Sequence, residues 1–161
     1  MSVAPPKIVE AKNIMDEMVS LCVMEGIARA TAVKALRGLC RYFGGQQIFL
    51  PRFKRNGSDT GDTVRGVIDD EVGDAEGDKI CDTIMRFFGG VPIYIPFERR
   101  AFRVEVAMDI YEQYDGTQDK QRELCRQFQV SFTHFYRLWH LADEKKKKTP
   151  TLFDFSDAEK F

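Results

Sequence analysis

Apolar residues near the start of the chain recur every three or four positions, which is the spacing of a helix with one buried face. The first such run spans about Val9 to Glu25 and puts Met15, Met18 and Cys22 on one face. The second spans about Thr31 to Phe43 and ends at a Gly-Gly pair, a common helix stop. The chain therefore begins with two predicted amphipathic helices.

A short strand pattern follows the second helix, and the whole arrangement returns later in the chain. The segment Arg41 to Pro51 matches Arg86 to Pro96 at a constant offset of 45 residues, without a gap. Each copy indicates a helix end, a Gly-Gly pair, a strand and a proline, which we interpret as a duplicated unit. The residues expected in strand pairing or dimerisation are Gly44, Gly45, Ile48, Phe49, Leu50, Pro51, Gly89, Gly90, Ile93, Tyr94, Ile95 and Pro96.

Alternation along each strand predicts which side is buried. The isoleucines and leucine of the two copies should face the core, and the aromatic residue between them should face away. Because a two-stranded ribbon is marginal alone, we expect the copies to pair antiparallel inside one chain. Pro92 has no N–H and should lie at the start of its strand or on its unpaired side.

The segment between the copies, residues 54–78, is rich in Gly, Asp and Ser. This composition predicts a long, acidic, flexible loop with at most one short helix, around Thr63 to Asp70.

Three further helices are predicted towards the C-terminus. The first, Arg103 to Tyr114, carries Val104, Met108 and Tyr111 on one stripe. Asp119 to Phe128 forms the next, and after a tight turn Ser131 is a suitable N-cap for a helix running to about Leu141. The run Lys145 to Lys148 follows near the C-terminus of that helix, where cations are favourable.

The last two helices predict a helix-turn-helix, whose second helix enters the DNA major groove. Arg137 could bind both acceptors of a guanine, Thr133 could touch a thymine methyl, and His134 could donate to a base. Ser131 and His140 share that face, while Gln118, Lys120 and the lysine run would bind phosphates. The side chains expected to pack inward are Leu124, Cys125, Phe128, Val130, Phe132, Phe135, Leu138 and Trp139.

Composition and charge refine this interpretation. Of 161 residues, 43% are hydrophobic, enough for a real core in one domain or two small ones. A net charge of −1 argues mildly against nucleic-acid binding. Between Lys120 and Lys148, however, eight basic residues face three acidic ones, a net of +5, whereas between Asp59 and Asp82 the net is −7. These two segments of the chain are therefore expected to carry electrostatic potentials of opposite sign.

Several classes of protein are excluded by what the sequence lacks. The four cysteines form no CxxC pair, so we expect reduced thiols, no metal and no cofactor. No phosphate-binding glycine loop or nucleophile elbow appears, and we expect no enzyme. No apolar run is long enough to span a membrane, and the first residues do not resemble a signal peptide, so the protein should stay where it is made.

The stretch from about Ile80 to Leu141 resembles the Mor and C transcription activators of Mu-like bacteriophages. The resemblance begins at Phe88-Gly89-Gly90 and continues through Ile93-Tyr94-Ile95-Pro96. A Tyr114-Asp115-Gly116 turn then precedes the predicted helix-turn-helix, in which Val130-Ser131-Phe132 leads into Tyr136-Arg137. By position, the resemblance implies that Gly89, Gly90, Tyr94 and Pro96 belong to the strand and linker. It implies a recognition helix that carries Ser131, Thr133, His134, Tyr136 and Arg137.

The resemblance implies a homodimer that binds an inverted repeat in double-stranded DNA near a promoter and recruits host RNA polymerase in the bacterial cytoplasm. The known pattern has one Gly-Gly–strand unit per chain, and this chain has two. Two alternatives stay open: a repressor that uses the same domain, and a protein-interaction module that uses the acidic loop and the aromatic tail.

The expected organisation is mainly α-helical and divides into five segments. Residues 1–53 hold the N-terminal helices and the first Gly-Gly–strand unit, and 54–78 form the acidic loop. Residues 79–100 hold the second unit, 101–148 the helix-turn-helix domain, and 149–161 an acidic, aromatic tail.

Overall fold

A computed structural model describes residues 13–52 and 59–148. The chain is mainly helical, with one small two-stranded antiparallel sheet. It divides into two compact units, one ending at Ala101 and the other beginning at Phe102. The predicted aromatic tail, 149–161, lies outside the described residues.

The described part of the first unit, residues 13–52 and 59–101, contains five helices and both strands. In chain order they are α1 (Ile14–Met24), α2 (Arg29–Phe43), β1 (Gln46–Phe49), α3 (Asp59–Val72), α4 (Asp74–Phe88), β2 (Pro92–Ile95) and α5 (Glu98–Ala101). Helix α2 packs against both α1 and α3, and α3 packs against α4. The side chain of Asn13 caps α1 by accepting a hydrogen bond from the Asp16 N–H at 3.1 Å.

The two N-terminal helices form as their apolar spacing predicted. Met15, Met18 and Cys22 of α1 are completely buried, as are Leu36 and Leu39 of α2. The expected start of the first helix, near Val9, lies outside the described residues.

The prediction of a flexible acidic loop over residues 54–78 is wrong for the described part of that segment. Residues from Asp59 onward form α3 and the first turn of α4. Val64 and Ile68 lie one helical turn apart on α3 and are completely buried, so α3 has an apolar face that holds it in the unit. The short helix expected around Thr63 to Asp70 is thus the middle of a longer one.

Glycine and acidic residues in this segment serve the helix packing. A side chain at Gly77 would collide with the Asp69 carboxylate, so glycine permits the close approach of α3 and α4. The carboxylates also have cationic partners: Arg65 Nη1 lies 2.6 Å from Asp78 Oδ1, and Arg41 Nη1 lies 3.2 Å from Glu71 Oε1. A composition typical of loops is here compatible with two packed helices.

The two strands pair with each other inside the chain, which confirms the predicted intramolecular pairing. The register puts Ile48 opposite Ile93, and Pro92 begins β2, as expected for a residue without an N–H. Ile48 and Ile93 are buried at 6% and 5% exposure, as predicted from the alternation. Phe49 and Tyr94 lie on the opposite, exposed face.

Hydrogen bonds at the ends of this sheet follow the same offset as the sequence. The Gly45 N–H donates to the Ile95 carbonyl at 2.8 Å, and the Gly90 N–H donates to the Leu50 carbonyl at 2.9 Å. Gly45 and Gly90 have φ values of +82° and +87°, a conformation that side chains disfavour. Each Gly-Gly pair therefore allows the tight turn from a helix into a strand.

The correspondence extends to helices that the sequence comparison did not include. Adding 45 to the bounds of α2, 29 and 43, gives those of α4, 74 and 88, and adding 45 to the first residue of α1 gives that of α3. Six buried positions of α4 are likewise displaced by 45 from buried positions of α2. They are Gly77, Ile80, Cys81, Thr83, Ile84 and Met85.

Up to residue 148, the second unit contains three helices, α6 (Arg103–Gln113), α7 (Gln118–Phe128) and α8 (Phe132–Lys148). The predicted apolar stripe of α6 is displaced: Val104 is exposed, while Met108 and Tyr111 are only partly buried. The buried face carries Val106, Ala107 and Ile110 instead.

Helix α8 is longer than predicted, because it continues beyond Leu141 and includes the lysine run.

Across residues 13–52 and 59–148, no helix is both long enough and apolar enough to cross a bilayer.

Candidate nucleic-acid interface

The junction between α7 and α8 is fixed by local hydrogen bonds. Thr117 caps α7 by accepting from the Lys120 N–H at 3.2 Å. Gln129 ends that helix in the left-handed conformation, and the Val130 N–H donates to the Cys125 carbonyl at 3.0 Å. The Ser131 hydroxyl then accepts from the His134 N–H at 3.1 Å, as expected of an N-cap. Only three residues therefore separate the two helices.

A shared apolar core holds α7 and α8 against α6. Within it, Leu124, Phe135, Leu138 and Ala142 are completely buried. Phe128 and Val130 are also buried, while Cys125 and Trp139 pack at its edge. Most of the predicted inward set therefore lies where the periodicity put it.

Phe132 is the exception: predicted to pack inward, it is 54% exposed. The helix begins at Phe132, and its buried face runs through Phe135, Leu138 and Ala142, three or four residues apart. Phe132, three residues before Phe135, lies at the margin of this buried face and at the end of the helix, where its ring stays exposed. Its apolar character alone suggested a core position, and the geometry of α8 overrides that suggestion.

The side of α8 that faces away from the core carries most of the predicted base-reading residues. Thr133, Tyr136, Arg137 and His140 are exposed, and Ser131 is exposed at the N-cap. His134 is half-buried. The Tyr136 hydroxyl lies 3.5 Å from Gln121 Oε1, so α7 supports this side chain. The helix thus presents a contiguous polar face with hydrogen-bond donors and one guanidinium.

The residues expected to bind phosphates are spread along the unit. Gln118 is exposed at the start of α7, and Lys120 lies 3.5 Å from the carboxylate of Glu123. The four lysines were predicted to follow α8. They form its last turn instead, and all four are exposed.

Two of these lysines have acidic neighbours. Lys147 Nζ lies 2.9 Å from Asp143 Oδ2, and Lys146 Nζ lies 3.8 Å from Glu112 Oε1. The hydrogen bond from Lys147 lowers the pKa of the Asp143 carboxyl, with a smaller contribution from the Tyr111 hydroxyl. The lysine run is thus held on a helix rather than free in a tail.

Sequence reasoning did not single out two arginines on α7. Arg122 and Arg126 are exposed one turn apart and line an open depression of about 230 Å³ together with Cys125, Val130 and Phe132. Arg122 Nη1 lies 3.9 Å from Asp119 Oδ1. The signal was present in the sequence, since residues four apart on a helix share a face.

The three cysteines of the first unit, Cys22, Cys40 and Cys81, are buried, which disfavours their thiolate forms. Burial raises the pKa of Cys22 to about 11 and that of Cys40 to about 12. The pKa of Cys81 is raised to about 12, again chiefly by burial. Within the described ranges, no three His, Cys, Asp or Glu side chains come together as a metal site.

One of the comparisons with known proteins gave a match. The family model described as the Mor transcription activator family matches residues 58–150, more than half of the chain. Neither the curated proteins nor the solved structures gave a match. The matched region begins at α3 and runs through α8, so it includes one Gly-Gly–strand unit and leaves out α1, α2 and β1. The chain belongs to the Mor transcription activator family.

Proposed function

We propose that this protein regulates transcription by binding specific DNA sequences through α7 and α8, which act as a helix-turn-helix. The observation that carries the proposal is the exposed polar face of α8, opposite the apolar core that α8 shares with α7. A helix held on one side and polar on the other suits insertion into the major groove. The excess of positive charge over Lys120 to Lys148 favours association with phosphates.

The proposal assigns one contact to each of these side chains. Arg137 binds a guanine through its two outer nitrogens, and Thr133 contacts a thymine methyl. His134 donates to a base acceptor, while Ser131, Tyr136 and His140 border the same face. Phosphates are bound by Gln118, by Lys120 and by Lys145, Lys146, Lys147 and Lys148.

The first unit is proposed to be an internal duplication. Equivalent helices, equivalent glycines and reciprocal hydrogen bonds relate residues 14–50 to residues 59–95. Reciprocal contacts of this kind are the mark of a two-fold interface between identical subunits. Here both halves of such an interface lie in one chain.

This duplication bears on the homodimer that the resemblance implies. The strands are already paired with each other, so they do not offer a free ribbon to a second copy. Each chain has one α7–α8 pair in the described residues, and an inverted repeat needs two. We propose that two chains meet on the DNA itself, through surfaces other than the strand pair.

Activation through recruitment of host RNA polymerase is the proposed outcome of binding. A repressor with the same domain is the alternative, and a promoter–reporter assay separates them, since an activator raises transcription from a promoter that carries the site. The protein-interaction alternative uses the acidic segment, which forms α3 and the start of α4 from Asp59 onward, and the aromatic tail, which lies outside the described residues. Loss of DNA affinity in Arg137→Ala would count against it.

Selection of bound duplexes from a random DNA library tests the proposal. We expect one enriched motif, and an inverted arrangement of two half-sites if two chains meet on the DNA. Recovery of the starting library without enrichment, at low salt as well as at physiological salt, would contradict sequence-specific binding.

A further inference from the structure

Phe132 occupies an unusual place for a large apolar side chain. It is the first residue of α8 and, among the large hydrophobic side chains of the described second unit, it is the most exposed, at 54%. The exposed apolar area costs free energy in water, and contact with another apolar group would recover it. The neighbours of Phe132 indicate what that group is.

Two cations flank the exposed ring. Arg122 and Arg126 line the same open depression of about 230 Å³ as Phe132, together with Val130 and Cys125. Arg122 is 58% exposed and has only a long contact with Asp119, at 3.9 Å. An apolar ring bordered by two exposed guanidinium groups suits a ligand that is anionic on its outside and has an apolar projection within reach.

Duplex DNA with a thymine has that chemistry. Phosphates line the outside of the duplex, and the thymine 5-methyl group projects into the major groove, where phenylalanine is a suitable contact. In a helix-turn-helix, the start of the second helix meets base edges while the first helix crosses the backbone. Phe132 is at the first of these places, and the two arginines of α7 are at the second.

We propose that Phe132 selects a thymine by contact with its 5-methyl group, while Arg122 and Arg126 bind phosphates beside that base. The inference rests on the proposed DNA binding and adds a base preference to it. Thr133, the neighbouring residue on α8, contacts the methyl group of a different thymine. A protein surface on Phe132 is the competing occupant, and the test below separates the two.

The test replaces each thymine of the selected duplex in turn by deoxyuridine, which lacks only the methyl group. Burial of one methyl-sized group corresponds to about a four-fold change in affinity. We expect the full-length wild-type chain to bind about four-fold more weakly when the thymine at Phe132 is replaced in each half-site. The thymine proposed to contact Thr133 is a second sensitive position, and Phe132→Ala should leave its effect unchanged. Binding is measured by fluorescence anisotropy at constant salt.

Two variants assign the effect to a side chain. Phe132→Ala should bind the thymine duplex more weakly and should no longer distinguish thymine from deoxyuridine at that position. Phe87→Ala, which removes another ring of 50% exposure from the first unit, should keep the full discrimination. Changing Arg122 and Arg126 together to Gln should weaken binding to both duplexes equally, because phosphates carry no base identity.

The outcomes are distinguishable. A wild-type chain that selects a DNA motif but tolerates deoxyuridine at every thymine would overturn the inference and leave the proposed function standing. Phe132→Ala with unchanged thymine discrimination would also overturn it, in favour of a role for Phe132 with another partner. Failure to bind any DNA would contradict the proposed function itself. If Phe132→Ala does not fold, Thr133→Ser separates the two residues, since it removes only the methyl group of Thr133. A thymine whose replacement still weakens binding of Thr133→Ser belongs to Phe132, and loss of all thymine discrimination in that variant would overturn the inference.

Discussion

Ile48 lies directly opposite Ile93 in the two-stranded sheet, and the two residues are equivalent positions of the pattern that recurs after 45 residues, since 93 − 48 = 45. A residue paired with its own equivalent lies on a pseudo-two-fold axis. The hydrogen bonds from Gly45 to Ile95 and from Gly90 to Leu50 obey the same axis. The first unit of this single chain therefore has the internal symmetry of a dimer.

A cross-link tests this pairing. Gln47 and Tyr94 are opposite each other in the register, and opposite Cβ atoms in an antiparallel pair are about 4.5–5.5 Å apart, close to disulfide geometry. We expect Gln47→Cys combined with Tyr94→Cys to oxidise to a bridge within one chain, seen as a monomer band on a non-reducing gel. Gln47→Cys alone is the control. A covalent dimer as the main product would show that the strands pair between chains.

Glu98 is predicted to be a major stabilising residue of the first unit. Its carboxylate is 8% exposed and accepts from Arg37 Nε at 2.8 Å and from Arg41 Nε at 3.2 Å. Glu98→Ala leaves the 14% exposed Arg37 side chain without this carboxylate, so the free energy of unfolding should fall by about 3–5 kcal/mol. Urea unfolding followed by circular dichroism measures the change.

The matched control for that variant is Glu76→Ala. Glu76 makes an exposed contact with Lys79 at 3.9 Å, and loss of such a pair should change the free energy of unfolding by less than about 1 kcal/mol. Equal effects of the two variants would refute the stabilising role assigned to Glu98.

The lysines at the end of α8 should add affinity without adding sequence preference. Changing Lys145 to Lys148 to Gln should weaken binding to the selected and to random duplexes by the same factor, because the ammonium groups meet phosphates. The dependence of log affinity on log salt should become shallower by about 0.9 for each lost phosphate contact. Lys34→Gln with Lys79→Gln is the control, and a loss confined to the selected duplex would argue against phosphate binding.

Cys125 provides a footprint of the proposed interface. It is half-buried in the depression that Arg126 and Phe132 also line, and partial burial raises the pKa of its thiol. Cys40 is buried, which raises its pKa to about 12 and closes that thiol to reagents. We expect iodoacetamide to modify Cys125 before Cys22, Cys40 or Cys81 and to modify it more slowly when the selected duplex is bound. Peptide mass spectrometry follows the reaction, and Cys125→Ser is the control. An unchanged rate on DNA binding would place the duplex elsewhere.

Much of the fold was predictable because its signals are local. The apolar spacing of α1 and α2 reflects one buried face on each helix, and the alternation along each strand reflects one buried side. A register shift of one residue would turn the buried side chains of a strand towards solvent. The Gly-Gly pairs were equally informative, since Gly45 and Gly90 need positive φ. These features survive in the structure as the sequence predicts them.

The acidic segment was not predictable on the same grounds. Its helices depend on partners distant in sequence, such as Arg41 for Glu71, and on the close approach at Gly77. Local propensity penalises glycine and aspartate in helices, and tertiary packing overrides that penalty here. The prediction that Phe132 packs inward failed because Phe132 is the first residue of α8 and lies at the margin of its buried face. At such a position the apolar spacing alone does not decide burial.

The most direct test of the account is the affinity of Arg137→Ala for the selected duplex at constant salt. Arg137 is exposed on the face of α8 proposed to read bases, and its loss should cost about 1–3 kcal/mol of binding free energy and relax one base position. Arg103→Ala removes an exposed arginine from α6 in the same unit and serves as the control. We expect weaker, less selective binding for Arg137→Ala and unchanged selectivity for Arg103→Ala. Wild-type affinity and selectivity in Arg137→Ala would contradict the claim that α8 reads DNA.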